Sequence, residues 1–173
     1  MKISPVEEFG LRCALQLAMQ PKGAALPASE ISKREGISLQ YVSKIMHLLK
    51  RGGLVSASRG IQGGFRLSKS PEGISLKEIL GALKERPQTS SFCNKFKGNR
   101  HSCANRNGCR VRLVWDLLAY HVESVLAGLT LSDLASDTAS SREKVLAFAR
   151  KHAERSMSEF ERTSHASERE QLI

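Results

Sequence analysis

The chain has 173 residues, with 27 Lys and Arg against 17 Asp and Glu, 40% hydrophobic residues but only 5% aromatic ones, and four cysteines. That length suits one ordinary domain plus an appended element, built on an aliphatic core. No apolar run approaches the ~20 residues of a membrane span, and the stretch from Met1 to Glu8 lacks the apolar segment of a signal peptide. The expectation is a cytoplasmic protein with no membrane partner, whose cysteines are thiols or metal ligands rather than disulfides.

A first helix is expected over residues 5–20, because Val6, Phe9, Cys13 and Leu17 recur at helical spacing with Gly10 and Ala14 on the same side. Pro21-Lys22-Gly23 ends it. A short second helix runs from Leu26 to Glu35, anchored by Ile31 and broken by Gly36. Ser38 is a natural N-cap for a third helix whose apolar face carries Leu39, Val42, Ile45, Met46 and Leu49. The period then changes. Leu54–Ser58 reads as a strand, Gly60–Gly64 as a tight turn and Phe65–Leu67 as the returning strand.

Two helices about a glycine turn, followed by a hairpin, make a winged helix-turn-helix. In that layout the third helix enters the major groove and offers Ser38, Gln40, Tyr41, Ser43, Lys44 and His47. The wing adds Ser58, Arg59, Gln62, Gly63 and Gly64, with glycines that let the tip lie against a sugar–phosphate backbone.

Ser75 caps a further helix through Leu76, Ile79, Leu80 and Leu83. Periodicity is then lost from Arg86 to Arg110. A long helix resumes at Val111, with Val114, Trp115, Leu118, Val122, Val125 and Leu129 on one stripe and Leu113, Leu117 and Tyr120 on another. A helix apolar on two sides must bury both, one on its own domain and the other on a second copy. Residues 137–173 are rich in Ser, Glu and Arg. They hold one helical candidate (Val145, Leu146, Phe148, Ala149), with a frayed or disordered end expected towards Ile173.

Charge follows the same divisions. Residues 1–69 carry 11 basic and 4 acidic side chains, and residues 84–112 carry 8 and 1, so each segment has a surplus of +7. Residues 113–173 reverse it, with 7 and 10. A surplus confined to two segments is the footprint of a polyanion partner. Cys93, Cys103 and Cys109 fall in the second basic segment, which has no apolar face to bury a thiol, whereas Cys13 sits on the apolar face of the first helix. Thiolates among basic residues favour soft-metal ligation or redox chemistry, and His101 could complete a zinc site. No nucleophile pairing at usable spacing and no phosphate loop is present, because Gly60–Gly64 lacks the Lys-Ser/Thr and following helix. An enzyme is therefore not expected. A basic protein coating DNA without preference remains a rival.

The segments Glu7–Arg12, Ile37–Ile45, Gly53–Gly60 and Gly63–Phe65, with the cysteine segment before the long helix, resemble the IscR/NsrR/RirA-like family of dimeric winged-helix iron–sulfur regulators. The resemblance covers roughly residues 1–135. It implies a mainly α fold with a small β-hairpin wing and a long dimerisation helix. Four parts follow: a winged helix-turn-helix domain at 1–83, a cluster loop at 84–110, a dimerisation helix with closing element at 111–135, and a polar tail at 136–173. It further implies a homodimeric repressor on a pseudo-palindromic double-stranded operator, controlled by a 2Fe-2S or 4Fe-4S cluster on Cys93, Cys103 and Cys109. The signal would be redox state, nitric oxide or iron. Two departures stand out. The first cysteine spacing is longer than usual, and Arg112 occupies the position of one branch's ligand histidine. Another branch uses an acidic residue that falls on Glu8, leaving Glu8 and His101 as rival fourth ligands. Glu8 with Arg12 also has the spacing of a surface ion pair. The alternative is a zinc-stabilised or thiol-oxidation-switched regulator without a cluster.

Overall fold

The computed structural model describes residues 3–58, 63–83, 101, 110–137, 139–152 and 154–155. Helix α1 (Pro5–Ala18) opens on a reciprocal cap, in which Ser4 Oγ accepts from the Glu7 N–H while the Ser4 N–H donates to the Glu7 carboxylate at 2.9 Å. Gly10, Cys13, Ala14 and Leu17 form its buried stripe. Helix α2 (Ala28–Glu35) buries Ile31 and closes on Gly36, whose φ of +66° lies in the left-handed region. Leu26, expected inside this helix, instead pairs as an extended residue with Phe65, through backbone bonds of 2.8 and 2.9 Å. The reason is Pro27, which disfavours helical backbone in the residue before it.

Helix α3 (Leu39–Arg51) is capped by Ser38 and buries Val42, Ile45, Met46, Leu48 and Leu49. Strands β1 (Val55–Ser58) and β2 (Gly64–Leu67) form an antiparallel hairpin that sets Val55 opposite Leu67 and Ser58 opposite Gly64. A 3-10 turn (Pro71–Gly73) leads into α4 (Leu76–Leu83). As expected, Ser75 caps α4: its Oγ accepts from the Glu78 N–H at 3.2 Å, and Glu78 accepts from the Ser75 N–H at 2.8 Å in return. The Leu83 side chain lies where a Cβ on Gly10 would stand, so α1 and α4 cross with almost no space between them.

Helix α5 (Arg110–Gly128) is followed by α6 (Leu131–Ala135) and by a helical run over residues 139–152, α7. The junction of α5 and α6 returns to the first half of the chain. Leu76 N–H donates to Leu129 C=O and Leu131 N–H to Ile74 C=O, each at 2.9 Å, and both leucines enter the core beside Ile74 and Ile79. Each such fully buried aliphatic side chain contributes roughly 1.5–3 kcal/mol.

The last turns of α5, with Val125 and Leu126, rest against this core. The first turns leave Val111, Val114, Leu117, Leu118 and Tyr120 exposed. On α7, Phe148 packs on Gly128, and His152 stacks on Phe148 at 5.8 Å with its ring edge-on to His121. The helical candidate in the tail is thus a docked helix across the described residues, although Leu146 faces outward.

Candidate nucleic-acid interface

The face of α3 opposite its buried stripe carries Gln40, Ser43, Lys44 and His47, all exposed and spaced so that they form one row. Lys50 and Arg51 extend that row with positive charge at the helix end. Ser38 Oγ accepts from the Tyr41 N–H at 3.2 Å, so this hydroxyl is engaged in capping. Ser43 Oγ donates to Leu39 C=O at 2.9 Å. Leu39 departs from expectation: it is 50% exposed rather than part of the apolar face. It is the first residue of the helix, and helical side chains lean towards the N-terminus, so its side chain projects past the start of α3.

Tyr41 departs differently. Its ring is half-buried and meets Phe9 of α1 edge-on, with centroids 5.9 Å apart. In the wing, Ser58 is half-buried, its Oγ 3.5 Å from Gly64 C=O. Gly63 is half-buried as well, while Arg66 is exposed on β2. Gly64 has a demanding structural role. A Cβ there would stand 2.6 Å from the Leu26 carbonyl, so only a residue without one permits the Leu26–Phe65 pairing that ties the wing to the segment before α2. Arg59 and Gln62 lie outside the described residues.

Of the candidate ligands, Glu8 is exposed on α1 and His101 is exposed. Cys93, Cys103 and Cys109 lie outside the described residues, and among those described no group of three or more His, Cys, Asp or Glu is placed to hold a metal ion. Cys13 is fully buried. Burial, reinforced by the nearby Glu35 charge and opposed by Arg12, pushes its thiol up to about 12, so it stays protonated and inert.

Sequence reasoning missed one polar group. Glu35, the last residue of α2, is the one buried charged residue among those described. Its carboxylate accepts from Arg12 Nε and from Gln16 Nε2, both at 2.6 Å. Arg12 therefore turns to Glu35 rather than forming the expected surface pair with Glu8, and its guanidinium lies 5.2 Å over the Phe9 ring. The available signal was that Glu35 stands four residues after Ile31, at a core-facing position of a short helix. Its partners lie 23 and 19 residues away, beyond any local pattern.

The chain matches a family model described as Rrf2, iron-dependent transcriptional regulator, over residues 4–137. The HTH-type transcriptional regulator IscR of Aliivibrio salmonicida is 29% identical over 137 residues, covering 79% of each chain. The T. potens IscR structure superposes with a TM-score of 0.62 over 78% of this chain and 85% of that one, at 23% identity. The oxidized form of Staphylococcus aureus CymR superposes with a TM-score of 0.58 over 79% and 97%, at 25% identity. Helix α7 lies beyond the matched residues.

Proposed function

Given that this chain belongs to the Rrf2 family of transcriptional regulators, we propose that it is a cytoplasmic homodimeric repressor that binds a pseudo-palindromic DNA operator and is switched by an iron–sulfur cluster. The observation that carries the reading is a division of labour between two helices. On α3 the apolar face is buried and the polar row Gln40, Ser43, Lys44 and His47 looks outward beside the hairpin. On α5 an apolar row looks outward instead, as a helix awaiting a second copy does. Pairing two chains through α5 sets two copies of α3 at a fixed separation, which must be one helical turn of DNA, ~34–36 Å, or a multiple of it.

In this reading Gln40 and Lys44 contact base edges, while Arg59, Gln62 and Gly63 meet the backbone. Cys93, Cys103 and Cys109 hold the cluster, and Glu8 or His101 completes its ligands. The cluster supplies a centre that redox change, nitric oxide or iron shortage alters. The cysteine segment lies in the chain between Leu83 of α4 and Arg110 of α5, so its order bears on how α5 sits and hence on the spacing of the two α3 helices. The three cysteines among basic residues also suit a thiol-oxidation switch, and the likeness to a CymR solved in an oxidized form favours keeping that second reading.

Anaerobic purification tests the choice. Iron and acid-labile sulfide bound to the chain, lost together in any Cys93→Ala, Cys103→Ala or Cys109→Ala protein but kept in Cys13→Ala, support the cluster. A colourless protein holding zinc, or one whose operator affinity follows thiol oxidation without iron, overturns it. Selection of a palindromic site from random duplexes tests the DNA reading. Equal binding to all duplexes would leave a non-specific coating protein.

A further inference from the structure

A continuous set of contacts runs from the end of α2, through α1, to the start of α3. Glu35 closes α2 with its side chain only 5% exposed. A carboxylate so buried must keep its partners, and Arg12 and Gln16 hold both of its oxygens. The Arg12 guanidinium lies on Phe9 one turn earlier in α1, and Phe9 meets the Tyr41 ring at 83°. Tyr41 is in the first turn of α3, next to Gln40. The covalent link between α2 and α3 is only Gly36, Ile37 and Ser38, fixed in part by Ser32 Oγ donating to Ile37 C=O at 2.6 Å. The two helices are thus joined twice, once by this turn and once through α1.

We infer that Glu35, Arg12 and Phe9 are positioning residues for the recognition helix, which set the angle at which Gln40 and Lys44 meet the bases by holding the Tyr41 ring against α1. The inference rests on the reading of α3 as the helix that enters the major groove. It assigns Tyr41 a packing role, in contrast to a direct contact with DNA. Base readout depends on the angle and depth of a helix, whereas phosphate attraction depends mainly on charge. Disturbing this set therefore alters discrimination between sequences more than it alters salt-dependent attraction.

The test measures affinity for a selected operator duplex and for a scrambled duplex of equal length, by fluorescence anisotropy at two salt concentrations, on the full chain. The ratio of the two affinities does not depend on what fraction of a preparation is folded. Arg12→Lys keeps the positive charge beside the buried carboxylate but loses the planar group over Phe9. It and Glu35→Gln should each lower the ratio about tenfold with the salt slope unchanged. Tyr41→Phe, which keeps the ring, should hold the ratio within about twofold, and Tyr41→Ala should lose about tenfold. Arg12→Lys and Glu35→Gln proteins that keep the wild-type ratio would overturn the inference, as would a Tyr41→Phe protein that falls as far as Tyr41→Ala. A wild-type protein that binds both duplexes alike would overturn the reading of α3 and this inference with it.

Discussion

Leu49 and Leu118 stand on the apolar stripes of two helices in one chain, yet Leu49 of α3 is fully buried and Leu118 of α5 is 50% exposed. The winged-helix region has found a partner for each large apolar side chain of α3 beyond Leu39, using α1, α2, α4 and the strands. The first turns of α5 leave Val111, Val114, Leu117 and Leu118 exposed among the described residues, although their composition is as apolar. Residue type does not separate the two regions. Among the described residues, what differs is whether an opposing surface stands against the helix: α3 is part of a finished core, and the exposed row of α5 is the surface that the proposed pairing of two chains would cover.

The sharpest way to break that contrast is a charge at the centre of the exposed row. Leu118→Asp should weaken self-association about a thousandfold or more, since an unpaired charge in an apolar interface costs several kcal/mol. Sedimentation equilibrium would show it, with far-UV circular dichroism unchanged. Undiminished association would remove α5 from the interface. Leu49→Ala should do the opposite, lowering stability by ~2–5 kcal/mol in urea titrations while leaving association per folded chain intact.

Smaller substitutions sharpen the picture of the closed region. Gly64→Ala should lower stability by ~1–3 kcal/mol, because its Cβ collides with the Leu26 carbonyl, and backbone yields less readily than a side chain. A neutral result in chemical denaturation would mean the wing is not held to Leu26. Ser75→Ala should cost ~1 kcal/mol through loss of the α4 cap. That difference carries a pH signature. The Ser75 backbone N–H and hydroxyl, then Lys69, hold the Glu78 carboxyl below its ordinary value. The contribution of that depressed carboxyl is present above the unfolded value, about 4.3, and fades as pH falls through the lower folded one. The gap between wild type and Ser75→Ala in thermal unfolding should therefore narrow in acid. Least of all, Gly81→Ala should stabilise by ~0.5–1 kcal/mol, because among the described residues nothing lies within 4 Å of the added Cβ.

Periodicity made the elements of the first 83 residues legible, including the buried Cys13 and both serine caps at Ser38 and Ser75. These are local properties: a stripe repeats every three or four residues, and a cap acts within one turn. What escaped was set by partners distant in the chain. Arg12 had an acidic neighbour at helical spacing and took a different one, because Glu35 was buried and needed it more. Gly64 looked like a glycine for touching DNA, and the feature that demands a glycine is its approach to Leu26. Tyr41 carries a hydroxyl that suits base recognition, but the pattern could not show that Phe9 holds its ring. In the tail, the spacing offered a helical candidate without saying that Gly128 and His121 would receive it.

The bonds that bring Leu129 and Leu131 back to Leu76 and Ile74 make the chain a closed circuit. A ribosome that has released residues 1–83 has delivered the helices and the hairpin, but Ile74 and Ile79 still lack the leucines that finish their enclosure. Only when residue 131 arrives does the circuit close, and the intervening excursion, cysteines included, is by then already made. The two ends of that excursion, at Leu76 and Leu129, are tied by one backbone bond and set in the same core, so the chain leaves and re-enters at a single seam.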